Sequence, residues 1–158
     1  MYTKLVSAGL FGMNAYLVDV EIDLIRGMPS FDIVGLPDAA VKESRDRVRA
    51  AMKNCGYEVP VKKITVNLAP ADLKKAGPMY DLPIFLALLA ASGQTQADFS
   101  DSMFIGEVAL DGTVRRGQGV LPMVIEAKEA GLRRVFVPAE NAREGSAVQG
   151  IEVYPVHK

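Results

Sequence analysis

Residues 64–93 read ITVNLAPADLKKAGPMYDLPIFLALLAASG. The stretch opens as a strand, with Ile64, Val66 and Leu68 alternating with Thr65 and Asn67. Ala69-Pro70 stops the strand, and a charged loop with Asp72, Lys74 and Lys75 follows. Gly77-Pro78 signals a turn. Asp81 stands where it can cap a helix, and Pro83 falls in the first turn, where no N–H is needed. From Leu82 to Ala91 that helix is apolar on every side, which predicts a buried central helix. Gly93 ends it. A strand, a turn and a buried helix predict the nucleus of an α/β layer.

Upstream, residues 2–8 read as a short strand, and Gly9 and Gly12 bracket a turn. Ala15–Ile25 alternates, with Val18, Val20, Ile22 and Leu24 opposing Asp19, Glu21 and Asp23, so one face is buried and the other acidic. Arg26–Pro29 turns the chain, and Phe31–Val34 returns as a third strand, which predicts an antiparallel β layer. Pro37-Asp38 then introduces a helix to about Asn54. Its inward stripe is Ala40, Val41, Ser44, Val48, Ala51, Met52 and Cys55, and Glu43 is spaced for an ion pair with Arg47.

Downstream, Met103–Leu110 reads as one strand, Asp111-Gly112 as a tight hairpin turn, and Thr113–Arg116 as the return. A helix follows from about Val120 to Ala130, then a strand at Val135–Val137, a helix at Ala139–Val148 and a strand at Ile151–Val156. The order predicts one α/β (α+β) domain over residues 1–158, with a mixed sheet and helices mainly on one face.

The totals bound the function. The formal net charge of −1 gives no bulk attraction to nucleic acid or lipid, so any basic surface is local. One cysteine, Cys55, allows no internal disulfide and fits a reducing, cytoplasmic setting. The longest apolar run, Leu82–Ala91, is about half the ~20 residues of a membrane span, so no membrane partner is expected. There is no G-x-x-x-x-G-K-[ST] phosphate cradle, and the sole histidine, His157, lies in the tail. Asp19, Glu21 and Asp23 read as solvated charges, and no metal site is expected.

Two features remain as candidate sites. Lys42, Arg45, Arg49 and Lys53 recur at steps of three and four, so they share one helix face. With the loop pair Lys74-Lys75 they form a candidate contact for DNA phosphates or an acidic partner. A solvated helix face is the plainer reading, because Glu43 and Asp46 dilute the charge. The second feature is the Asn67–Asp81 loop, richer in turn and charged residues than a core requires.

The runs GLPDAAVKESRDRVR (35–49), ITVNLAPADLKKAGPMYDL (64–82) and GEVALDGTVRRGQGVLPMVIEAKEAGLRRVFVPAENARE (106–144) closely resemble the N-terminal domain of the ComM/YifB family, the magnesium-chelatase-like AAA+ ATPases. The resemblance implies a fold similar to the proteolytic domain of Lon and the C-terminal domain of RadA, an S5-like α/β sandwich. Lon-type peptidases use a serine directly after Gly-Pro and a lysine at the start of a later helix as its base. The matching positions here are Met79 and Leu121, so the resemblance implies a Lon-like domain without peptidase chemistry. It also implies a downstream ATPase module that binds ATP and Mg2+ and assembles as a ring, hexameric by family expectation. The whole would drive branch migration of DNA during natural transformation. This chain would need no cofactor, and its partners would be its own ATPase domain, ring neighbours and DNA, branched or single-stranded. Two alternatives stand beside this reading: a stand-alone protein-interaction module, and a residual Lon-like peptidase using Ser44, Ser92 or Ser146.

Overall fold

A computed structural model describes residues 2–11, 14–71, 75 and 78–157. Among these, the strands are β1 (Tyr2–Phe11), β2 (Asn14–Ile25), β3 (Ser30–Val34), β4 (Lys63–Ala69), β5 (Ser102–Phe104), β6 (Glu107–Val108), β7 (Val114–Arg115), β8 (Arg134–Pro138) and β9 (Glu152–Val156). Seven form one sheet in the order β3-β4-β2-β1-β5-β8-β9, and β6 and β7 form a separate hairpin. β1 (Tyr2–Phe11) and β2 (Asn14–Ile25) pair antiparallel along their whole length, from Tyr2 opposite Asp23 to Phe11 opposite Asn14. β2 pairs antiparallel on its other side with β4 (Lys63–Ala69). The other pairings of the seven-stranded sheet are parallel, so within it β2 alone runs against the rest.

The third strand differs from expectation. β3 (Ser30–Val34) does not fold back on β2 but lies parallel to β4 at the sheet edge. The reason is α1 (Asp38–Asn54), a crossover long enough to carry the chain from β3 to a parallel neighbour. β4 then takes the slot beside β2, where Ile64, Val66 and Leu68 extend the buried row of Val18, Val20, Ile22 and Leu24.

α1 and α2 (Asp81–Ala91), the two longest helices, cover one face of the sheet. α3 (Val120–Glu129) and the one-turn α4 (Ala142–Gly145) pack on the other, against Ala8, Met103, Val135 and Val137. α4 follows a 3-10 turn at Ala139–Asn141, so the predicted 139–148 helix is shorter and broken. The mixed α/β class holds, with the helical layer divided two and two.

Two glycines explain two further departures. Gly9 lies inside β1 rather than in a turn, because a Cβ there would meet Tyr80 Oη at 2.6 Å and Tyr16 Oη at 2.7 Å. Its missing side chain makes room for both rings. The predicted strand Met103–Leu110 is two: β5 (Ser102–Phe104) in the main sheet and β6 (Glu107–Val108) in the hairpin with β7 (Val114–Arg115). Between them Gly106 donates its N–H to Met79 O at 2.9 Å and accepts from Leu82 N at 2.9 Å. These bonds turn the chain out of the sheet and onto the start of α2. The hairpin turns at Asp111-Gly112, but its loop is three residues rather than the two predicted: Ala109 N–H donates to Thr113 O at 2.8 Å and Gly112 N–H to Ala109 O at 2.9 Å, which leaves Leu110 in the loop with Asp111 and Gly112.

Candidate functional site

The start of α2 is where the elements converge. Asp81 does not cap its own helix; its carboxylate is fully buried and turned toward α1. It accepts from Ser44 Oγ at 2.6 Å, Arg47 Nε at 2.6 Å, Arg47 Nη2 at 3.1 Å and Val108 N at 3.2 Å. Arg47 therefore pairs with Asp81, not with Glu43. The cause is burial: a carboxylate inside an apolar helix is stable only with donors aimed at it. Burial pushes the Asp81 carboxyl up, and the bonds from Arg47 and Ser44 pull against that shift. The bond to Asp81 raises the Arg47 guanidinium, which stays charged. One polar latch thus joins α1, α2 and β6. It also accounts for Ser44, whose hydroxyl is 2% exposed and spent on a carboxylate. Ser92 donates to Leu88 O inside its own helix end at 2.7 Å, and Ser146 lies exposed after α4.

Met79 and Leu121, the positions matched to a Lon-type dyad, both sit near the start of α3. The Met79 side chain packs with the core beneath α3, and its thioether lies where a Cβ on Gly117 would be. The loop before α3 is pinned by Asn141, whose Oδ1 accepts from Gly117 N at 2.9 Å and whose Nδ2 donates to Gly117 O at 3.0 Å. Leu121 is 36% exposed, and its N–H donates to Glu144 Oε2 at 3.3 Å. A thioether offers no attacking oxygen and an isobutyl group takes no proton.

The candidate cations separate on inspection. Lys42 and Lys53 are exposed on α1. Arg45 and Arg49 are half-buried against β3: Arg45 Nη1 donates to Phe31 O at 3.4 Å, and the Arg49 guanidinium sits 5.3 Å from the Phe31 ring centre. Both therefore hold the helix to the edge strand. Lys53 lies in the last turn of α1, where the helix dipole favours a cation. Lys75 is not on that surface; it is 1% exposed and its Nζ donates to Pro70 O. Lys74 and Gly77 lie outside the described residues, as does much of the Asn67–Asp81 loop. Among the described residues no group of acids, histidine and cysteine could hold a metal ion, and no helix is long and apolar enough to cross a membrane.

A mixed sheet flanked by these helices, with the Asn141-pinned loop before α3 facing Met79, defines a Lon-like α/β domain. The family described as subunit ChlI of Mg-chelatase matches residues 20–141, and the chain belongs to it. It is 48% identical over 140 residues to the YifB protein of Escherichia coli K12, covering 88% of this chain and 28% of that protein. It is 43% identical over 149 residues to the competence protein ComM of Haemophilus influenzae, covering 94% of this chain and 29% of ComM. Similarity extends to Lon protease 2 of Bacillus subtilis, 27% identical over 154 residues, 88% of this chain and 28% of that protein. The chain thus spans under a third of the length of each of these relatives.

Proposed function

We propose that this chain serves as the non-catalytic Lon-like domain of a magnesium-chelatase-like AAA+ ATPase that remodels DNA, acting in branch migration during natural transformation. The observation that carries the reading is the identity to competence protein ComM across 94% of the chain. ATP and Mg2+ would be handled by an ATPase module of the longer protein, since these residues hold no phosphate cradle. The setting would be the cytoplasm, and the partners would be that module, neighbouring copies in a ring, and DNA.

For contact with DNA the exposed pair Lys42 and Lys53 is the better candidate than Arg45 and Arg49, which are engaged with β3. Fluorescence anisotropy with a labelled four-way junction tests this. The double variant Lys42→Glu/Lys53→Glu should weaken binding and lower the salt slope by about 2, one for each lost phosphate contact. Unchanged binding and slope would remove the α1 face from the account.

The peptidase alternative is disfavoured by the chemistry of Met79 and Leu121 and by the burial of Ser44. Incubation with labelled casein should release nothing above buffer. Cleavage that Ser146→Ala abolishes would restore it.

A further inference from the structure

α2 is apolar all round, yet one of its stripes faces outward. Phe85 and Leu86 are half-buried and, with Leu82 and Leu89, form one wall of a cleft of ≈ 710 Å³. The opposite wall is the face of β5, β8 (Arg134–Pro138) and β9 (Glu152–Val156) that α3 leaves uncovered. Phe104, Phe136 and Tyr154 stand on these three neighbouring strands as a ladder of rings. Their centroids are 4.9 Å apart at each step, with interplanar angles of 11° and 17°. Phe99 meets Phe104 edge-on at 5.3 Å, and Tyr57 meets Phe85 edge-on at 6.0 Å. Tyr154 ends the ladder at the sheet edge, 39% exposed.

Among the described lining residues Asp98 alone carries a charge. Ser100 donates to its carboxylate through both Oγ, at 2.7 Å, and N, at 3.0 Å, which holds the carboxyl below the usual range and ionised at neutral pH. Arg134 lies behind it, its guanidinium engaged with Ser100 O at 2.9 Å. Two other polar groups of the lining are engaged with the hairpin: Asn54 Nδ2 donates to Leu110 O at 2.7 Å, and Cys55 Sγ lies 3.9 Å from Asp111 O.

A cleft of this size with apolar walls and few polar groups has the anatomy of a small-ligand site. Ring faces attract cations, ring edges meet other rings in T-shaped contacts, and the one ionised group is negative. We propose that the cleft binds a planar aromatic ligand bearing a positive charge, its ring between the α2 stripe and Phe99/Phe136 and its charge toward Asp98. Phosphate-bearing ligands such as nucleotides do not fit, because no cation lines the walls.

NMR titration of the intact chain with tryptamine tests the assignment. Saturable shifts should be confined to Tyr57, Phe85, Leu86, Asp98, Phe99 and Phe136. Indole-3-acetate, with the same ring and opposite charge, should bind several-fold more weakly, and Asp98→Asn should abolish that preference. 2-Cyclohexylethylamine should bind more weakly than 2-phenylethylamine, since a saturated ring has no π face. Phe136→Leu should weaken tryptamine at least fivefold; should that variant fail to fold, Leu86→Lys at the half-exposed wall, which sets a like charge against the ligand, should do the same. No saturable shift at millimolar tryptamine overturns the proposal. So does equal affinity for the two charges, or for the flat and saturated rings.

Discussion

Replacing Asp81 with alanine should be among the costliest single changes in the molecule. The substitution removes one carboxylate but strands three donors: the Arg47 guanidinium, the Ser44 hydroxyl and the Val108 N–H. Breaking a buried pair by removing one partner costs about 3–5 kcal/mol, because the other charge is left unpaired. Here the Arg47 side chain keeps 22% of its surface, so the guanidinium can recover some hydration. That places the expected loss near the lower end, about 3 kcal/mol, which for a domain of this size lowers Tm by roughly 6–12 °C. Urea unfolding followed by far-UV circular dichroism reads it directly, provided the slope with denaturant is unchanged. The double variant Arg47→Met/Asp81→Leu removes both charges and should recover about 2 kcal/mol of that loss. An Asp81→Ala loss below about 1 kcal/mol, or a double variant as unstable as the sum of the singles, would refute the latch.

Three further outcomes follow from the same geometry. Gly9→Ala should cost about 1–3 kcal/mol in urea unfolding, because its Cβ would press on the hydroxyl of buried Tyr80 and on the ring of half-buried Tyr16. Gly117→Ala should cost less than about 1 kcal/mol, because the only neighbour it would displace is the flexible end of Met79. Tyr2 Oη donates to Glu21 Oε2 at 2.7 Å, and Asn67 Nδ2 donates to Oε1 at 2.9 Å; these bonds hold the Glu21 carboxyl below its usual value, Tyr2 first. The stability this adds is present above the unfolded-state pKa of Glu21 and is lost as pH falls through the folded one. In a carboxyl NMR titration Tyr2→Phe should raise the Glu21 midpoint, and an unmoved midpoint would assign the shift to Asn67 instead.

Periodicity made most of the elements legible: the alternation of β2 and β4 and the stripe of α1 stand where the pattern puts them, and Asp-Gly marked a hairpin whose loop proved one residue longer. It could not rank strand neighbours, because an edge strand and a hairpin partner have the same alternation; β3 was therefore placed beside the wrong strand. Gly106 illustrates a second limit. The apolar run 103–110 carries no mark that half of it belongs to another sheet, because the switch is made by hydrogen bonds to Met79 and Leu82, distant in sequence. The latch was partly readable. A lone aspartate opening an all-apolar helix needs a partner, and Arg47 and Ser44 lie on one side of α1; the i,i+4 spacing to Glu43 was the stronger local signal and the weaker interaction. For the cations of α1, spacing offered a shared side. What it could not show is that Phe31 takes Arg45 and Arg49, or that Lys75 is turned inward. The aromatic ladder was illegible, since Phe104, Phe136 and Tyr154 meet only once three parallel strands are in register.

The ladder between β1 and β5 is the thinnest place in the main sheet. β1 matches β2 at ten positions but β5 at one, Val6 opposite Met103. The sheet is therefore two blocks, β3-β4-β2-β1 and β5-β8-β9, spanned on one face by α3, which lies across β2, β1 and β8, and on the other by the core under α2, which joins Leu5 of β1 to Phe104 of β5. At that line the two blocks are held by side chains on both faces, Leu5 with Phe104 in one core and Ala8 with Met103 in the other, rather than by a run of backbone hydrogen bonds. The join is thus set by packing, so substitutions that thin either core there weaken it more than the strand pairing alone would suggest.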